Sequence, residues 1–150
     1  MPRNAPGLRR HEEQGFALIE LLVVIMLLGV LAAIALPMLL SKQDDGKDAT
    51  AKSNARNLVS EVASCRVEVD SFADCDSEAE LTAANGGPIG LAYGRGDDQV
   101  EVESASVDSY TVAARSSSSH KFMIEIDLNA PQKRTCTPRG EGGCGDEGNW

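Results

Sequence analysis

Between Phe16 and Leu40 the chain runs for 25 residues with a single charge, Glu20. As a helix rising about 1.5 Å per residue, this run is about 38 Å long and exceeds the roughly 30 Å of bilayer hydrocarbon. It can span a membrane once. With 150 residues in all, the remainder has room for one small domain and no second large core. The carboxylate inside the run is costly at membrane depth, where ionisable groups are tied to a partner or a function.

The polar segment ahead of the run carries Arg3, Arg9 and Arg10 and reads as a cytoplasmic flank, so the rest of the chain faces outward. A secretory signal cut near Ala32, Ala33 and Ala35, or a plain single-pass anchor, would fit the hydropathy but leave Glu20 without a role. The formal charge of −9 is uneven: residues 1–15 hold three Arg and two Glu, so residues 16–150 carry −10. Such a body repels nucleic acid and anionic headgroups over its general surface, and no nucleic-acid partner is expected there.

All four cysteines, Cys65, Cys75, Cys136 and Cys144, lie beyond the apolar run. Their even number in an exported segment fits two disulfides. Three pairings are possible on sequence grounds. Local pairing, Cys65 with Cys75 and Cys136 with Cys144, would close two short loops, each worth on the order of 2 to 3 kcal/mol in the loop-entropy model. A metal centre is the weaker reading, because no CxxC occurs and His11 and His120 fall on opposite sides of the membrane. Neither metal nor cofactor is expected.

Past Pro37, charges enter, and Ala51, Ala55, Leu58, Val62, Cys65 and Val69 recur at steps of three and four. This spacing predicts an amphipathic helix over about 49–70. Pro37 removes a backbone donor and Gly46 lowers helix propensity, so a kink or local melting is expected between them. The following acid-, Gly- and Asn-rich stretch predicts a loop, with at most a helical turn around 77–82. Alternation then marks strands. Val100 and Val102, Tyr110, Val112 and Ala114, and Phe122, Ile124 and Ile126 each put one face inward, and QKRTCT adds a fourth candidate. Short connections favour an antiparallel meander. The fold class is α+β: a long N-terminal helix whose second half packs on a three- or four-stranded antiparallel sheet, with a Gly-rich tail closed by a C-terminal disulfide loop.

Gly15-Phe16-Ala17-Leu18-Ile19-Glu20, preceded by a short polar leader and followed by an apolar run containing Pro37, resembles the signature of type IV prepilins. Residues 9–40 match closely; beyond them the order of helix, loop, sheet and disulfide loop is similar to a pilin subunit, in particular the small pilins of Gram-positive bacteria. The resemblance implies a cytoplasmic leader (1–15), a transmembrane and assembly helix (16–40) and an extracellular head (41–150). A prepilin peptidase would cut between Gly15 and Phe16 at the cytoplasmic face and methylate the new amine. Gly15 leaves the scissile carbonyl accessible. Ala17 stands where Thr or Ser is common, a departure that leaves the cut unaffected. Glu20 would pair with the Phe16 amine of another subunit, the Coulomb attraction growing as water is lost. Pro37 would mark where the helix curves as the subunit enters the fibre. The implied partners are further pilin subunits, the peptidase, the assembly platform with its ATPase, and the inner membrane before assembly.

No catalytic constellation competes. His120, the one outward-facing histidine, adjoins a serine run in a hairpin turn rather than an ordered pocket. Asp70, Asp74, Asp76, Asp97 and Asp98 lack the full EF-hand spacing and read as solvated acids. The leading function is therefore a filament subunit for adhesion, motility or DNA uptake, with a type II secretion pseudopilin or a ligand-binding tip pilin as alternatives. For a tip binder the basic candidates are Lys133, Arg134 and Arg139, which also fit a solvated edge strand.

Overall fold

The computed structural model describes residues 12–150 in backbone and 18–150 with side chains. Most of the expected leader, residues 1–11, lies outside the described residues. The chain divides into two units, at Leu40 and Ser41.

Helix α1 spans Glu12–Val69 with Pro37 inside it. In the first unit, Leu, Val, Ile and Met side chains from Leu18 to Leu40 surround the helix on all sides and are 46 to 72% exposed. A helix apolar all round has no stripe to bury against a soluble domain. The expected melting between Pro37 and Gly46 is not found: these residues are helical. Pro37 forfeits one bond to the preceding turn. The turns after it are braced by the i,i+3 pairs Lys42–Asp45 at 3.1 Å and Asp44–Lys47 at 2.9 Å, and by Thr50 Oγ donating to the Gly46 carbonyl at 3.1 Å. Asp44 and Asp45 thus support the helix instead of ending it.

In the second unit the buried stripe of α1 consists of Ala51, Ala55, Leu58, Val62 and Cys65, each at most 2% exposed. Val69, grouped with them by spacing, is 40% exposed because the helix ends there. A 3-10 turn, Phe72–Asp74, and helix α2, Glu78–Ala84, follow. The short turn expected at 77–82 is longer because Ser77 and Glu80 form a reciprocal capping box. Cys65 is bonded to Cys75, and Asn85 Nδ2 donates to Glu61 Oε2 at 2.8 Å, which ties both ends of this loop to α1.

The sheet is a meander in the order β1 (Val100–Ala105), β2 (Ser109–Arg115), β3 (Lys121–Asp127) and β4 (Ala130–Thr137), every pair antiparallel. Its inward side chains, Val100, Val102, Tyr110, Val112, Ala114, Phe122 and Ile124, close one core with the α1 stripe, Phe72, Leu81 and Ile89. Each fully buried large aliphatic side chain contributes roughly 1.5 to 3 kcal/mol. Phe72 stacks on Tyr110 at 4.5 Å between ring centroids. Buried Glu101 on β1 is paired by Arg95 at 2.6 Å and Arg115 at 3.4 Å, which anchors the loop ahead of the sheet.

Candidate assembly site

Glu20 lies one helical turn beyond Phe16, and both fall within α1. The side chains of Gly15 and Phe16 are outside those described. Glu20 is exposed among exposed Leu18, Ile19, Leu21 and Leu22, and has no hydrogen bond or ion pair among the described residues. A lone carboxylate on an otherwise apolar helix demands a cation wherever that helix leaves water. Pro37 is helical and sits 17 residues further on, in the same exposed stretch.

The second unit contains a polar cluster that the sequence reading did not assemble. Asp48, on α1, is 1% exposed. Its carboxylate accepts a short hydrogen bond from Ser118 Oγ and one from the Gly143 backbone N–H at 2.9 Å, and lies 3.2 Å from His120 Nδ1. Burial favours the neutral acid, but the hydrogen bonds from Ser118 and Gly143, with smaller help from Ser116 and His120, outweigh it and hold this carboxyl below the usual range. His120 lies in the β2–β3 turn, as expected, but it is 7% exposed and hydrogen-bonded to Ser118, which corrects the reading that it has no ordered surroundings. Asp, Ser and His in contact suggest a hydrolytic triad, yet the geometry differs. A triad places carboxylate and hydroxyl on opposite imidazole nitrogens. Here both meet Nδ1, Ser118 Oγ at 2.9 Å, while Nε2 is buried without a hydrogen-bond partner among the described residues. The cluster ties α1, the β2–β3 turn and the C-terminal loop together.

Cys136–Cys144 closes that loop, and Gly142 covers the cluster. A Cβ at Gly142, whose φ is +52°, would stand 2.6 Å from Asp48 Oδ2 and 2.7 Å from His120 Cε1. Lys52, one turn after Asp48, donates to the Gly143 carbonyl at 2.6 Å. Trp150 docks: its indole N–H donates to the carbonyls of Thr135 at 2.9 Å and Met123 at 3.3 Å, and its ring meets Phe122 edge-on at 5.7 Å.

Two signals in the sequence point to the cluster. Asp48 continues the Ala51, Ala55, Leu58 stripe backward by one step, and His120 precedes Phe122, Ile124 and Ile126 at period two. Both positions face inward. Among the described residues no group of three or more His, Cys, Asp or Glu is placed to hold a metal ion.

Residues 10–36 match the family model described as a prokaryotic N-terminal methylation motif, a segment that contains Gly15, Phe16 and Glu20. The chain is 30% identical over 135 residues to the type IV major pilin protein PilA of Myxococcus xanthus, covering 87% of this chain and 61% of that protein. It is 32% identical over 83 residues to the type II secretion system core protein G of Pseudomonas aeruginosa, covering 55% of this chain and 57% of that one. It is also 30% identical over 101 residues to the type IV narrow pilus major component PilA5 of Thermus thermophilus, covering 67% of this chain and 86% of that protein. The chain thus spans about three fifths of the length of the first two relatives and most of the third.

Proposed function

The chain belongs to the type IV pilin family, and on that premise we propose that it is a structural filament subunit, without enzymatic activity, that polymerises through its apolar N-terminal helix. Residues 1–15 are the leader, residues 16–40 the membrane and assembly helix, and residues 41–150 the extracellular head. A prepilin peptidase cleaves after Gly15 and methylates Phe16. Before assembly the subunit sits in the cytoplasmic membrane with its N-terminus inside; afterwards it lies in a filament at the cell surface, fed by an assembly platform and its ATPase. The observation that supports this best is Glu20, without an ion pair among the described residues, on a helix whose apolar side chains are exposed from Leu18 to Leu40. The stretch is long enough to cross a membrane. Packed among copies of itself, it gains a dry bundle in which an amine at Phe16 and the Glu20 carboxylate fix axial register, since an ion pair out of water is costly unless both partners are in place.

Glu20→Ala tests this. The variant subunit is expected to accumulate in the membrane with its leader removed, while sheared filaments fall below a few per cent of wild type. Wild-type filament yield from Glu20→Ala would refute the role of the carboxylate. The match to a type II secretion core protein keeps a second reading in view, a short secretion pseudopilus. In that case deletion of the gene abolishes export of a secreted enzyme and leaves long surface filaments unchanged.

A further inference from the structure

The described head carries two patches of opposite charge at different levels of α1. Midway along the part of α1 that lies in the head, Arg56 and, from β4, Arg134 place their guanidinium carbons 5.1 and 5.2 Å from the centroid of the Trp150 ring. Among the described residues neither guanidinium donates a hydrogen bond or meets a carboxylate; the ion pairs around the sheet involve other cations. A guanidinium resting on an aromatic face keeps its N–H donors free for a planar carboxylate and has already lost the rotamer freedom that binding would remove. Nearby, Lys133 is paired with Glu125 at 3.8 Å and Arg139 is followed by Glu141, Asp146 and Glu147, so the cations of this patch left without a carboxylate are Arg56 and Arg134 themselves.

At the C-terminal end of the same helix the sign reverses. Residues 66–80 hold six acids, Glu68, Asp70, Asp74, Asp76, Glu78 and Glu80, against one base, Arg66. All six are exposed and none is in ion-pair contact with a Lys or Arg among the described residues. Arg66 instead rests on Phe72 at 4.8 Å. The crowding is felt within the cluster: sharing a hydrogen bond with Glu80, with burial and repulsion from Glu80 and Asp74 behind it, raises the Asp76 carboxyl. Val67, 81% exposed, supplies an apolar contact amid these charges.

From Arg56 to Glu68 is about 18 Å along the helix, more than twice the Debye length of about 8 Å at physiological salt. The two patches cannot neutralise each other within one head. We infer that the Arg56/Arg134/Trp150 patch docks the acidic 66–80 segment of a second copy of this chain. The two surfaces are different patches on the same molecule, so the contact is heterologous; repeated without closure, it builds an open filament. It rests on the filament reading above and adds to it a head-to-head contact that salt weakens.

The test is carried out on the full chain in cells that make its filaments. Arg56→Glu with Arg134→Glu, and separately Glu68→Lys with Asp74→Lys, are each expected to cut sheared filament yield by about tenfold or more, and to leave residual filaments that come apart at salt concentrations wild type withstands. Near-UV circular dichroism of the detergent-solubilised subunits confirms that each variant is folded. All four substitutions on one chain set the reversed side chains against each other across the contact and are expected to recover a large part of the yield lost by either pair alone. Arginine variants with wild-type yield and salt resistance would overturn the inference, as would a folded four-fold variant that fails to recover. Unchanged filaments that no longer retain DNA would also overturn it and assign the patch to a polyanion. Absence of filaments from the wild-type chain would instead bring down the proposed function, and this contact with it.

Discussion

Replacing Asp48 with alanine removes the one anion in the cluster that joins α1, the β2–β3 turn and the C-terminal loop. The carboxylate accepts hydrogen bonds from Ser118 Oγ and the Gly143 N–H and lies 3.2 Å from His120 Nδ1. Without it, three polar groups each lose one partner. Each one left buried and unsatisfied costs about 1 to 3 kcal/mol. Gly143 belongs to an exposed loop tethered by Cys136–Cys144, and its N–H can turn to water. Ser118 retains Ser116 Oγ at 2.8 Å and His120 Nδ1 retains Ser118 Oγ at 2.9 Å, so the loss is that of the buried charge-assisted contacts themselves, felt most at His120, whose Nε2 has no partner among the described residues. We expect Asp48→Ala to destabilise the head by about 1 to 3 kcal/mol and lower its midpoint by roughly 5 °C or more. The pH dependence separates this cause from general damage. A carboxyl held below its usual range in the folded state stabilises at pH values above the unfolded pKa of about 4, and that contribution disappears as pH falls through the lower folded value. The gap between wild type and Asp48→Ala, followed by near-UV circular dichroism on the detergent-solubilised chain, is therefore full at pH 7 and shrinks below about pH 4. A loss under about 1 kcal/mol, or a gap that is constant down to about pH 2, would refute the reasoning.

Gly142→Ala, with a positive φ and a Cβ 2.6 Å from Asp48 Oδ2, should cost about 1 to 3 kcal/mol in the same assay, and less when combined with Asp48→Ala because the clash partner is gone. Cys136→Ser with Cys144→Ser should lower the midpoint by an amount equivalent to about 2 to 3 kcal/mol and expose Trp150, seen as a red shift in its fluorescence. Burial pushes the Tyr110 phenol up to about 12, so a spectrophotometric titration of the folded chain should show no ionisation of this residue until that range, whereas an unfolded control titrates near pH 10. Ionisation of both tyrosines near pH 10 in the folded chain would contradict the packing of Phe72 on Tyr110.

The elements that bury a periodic face were legible in the sequence. Ala51, Ala55, Leu58, Val62 and Cys65 at helical spacing, and Tyr110, Val112 and Ala114 at period two, give helix and strand directly because burial on one face imposes the period of the backbone. Pro37 misled because propensity is a weak prior: one lost hydrogen bond does not break a helix whose other turns keep theirs and gain i,i+3 ion pairs. The polar cluster was missed for a different reason. Asp48 and His120 are 72 positions apart, and nothing local says that an acid on a buried stripe finds a serine, an imidazole and a loop N–H across the fold. The docking of Trp150 was equally silent, since it depends on free carbonyls at Thr135 and Met123 that only the sheet places together. Glu20 was legible because an ionised group is rare in an apolar run of this length.

The most direct test of the filament reading is mass spectrometry of the N-terminal peptide from material sheared off intact cells. The account predicts a peptide that begins at Phe16 and is one methyl group heavier than its sequence, present in the sheared filaments. Filament material whose peptides run unbroken across Gly15 and Phe16, or a chain found only in the membrane and cut near Pro37, would contradict it.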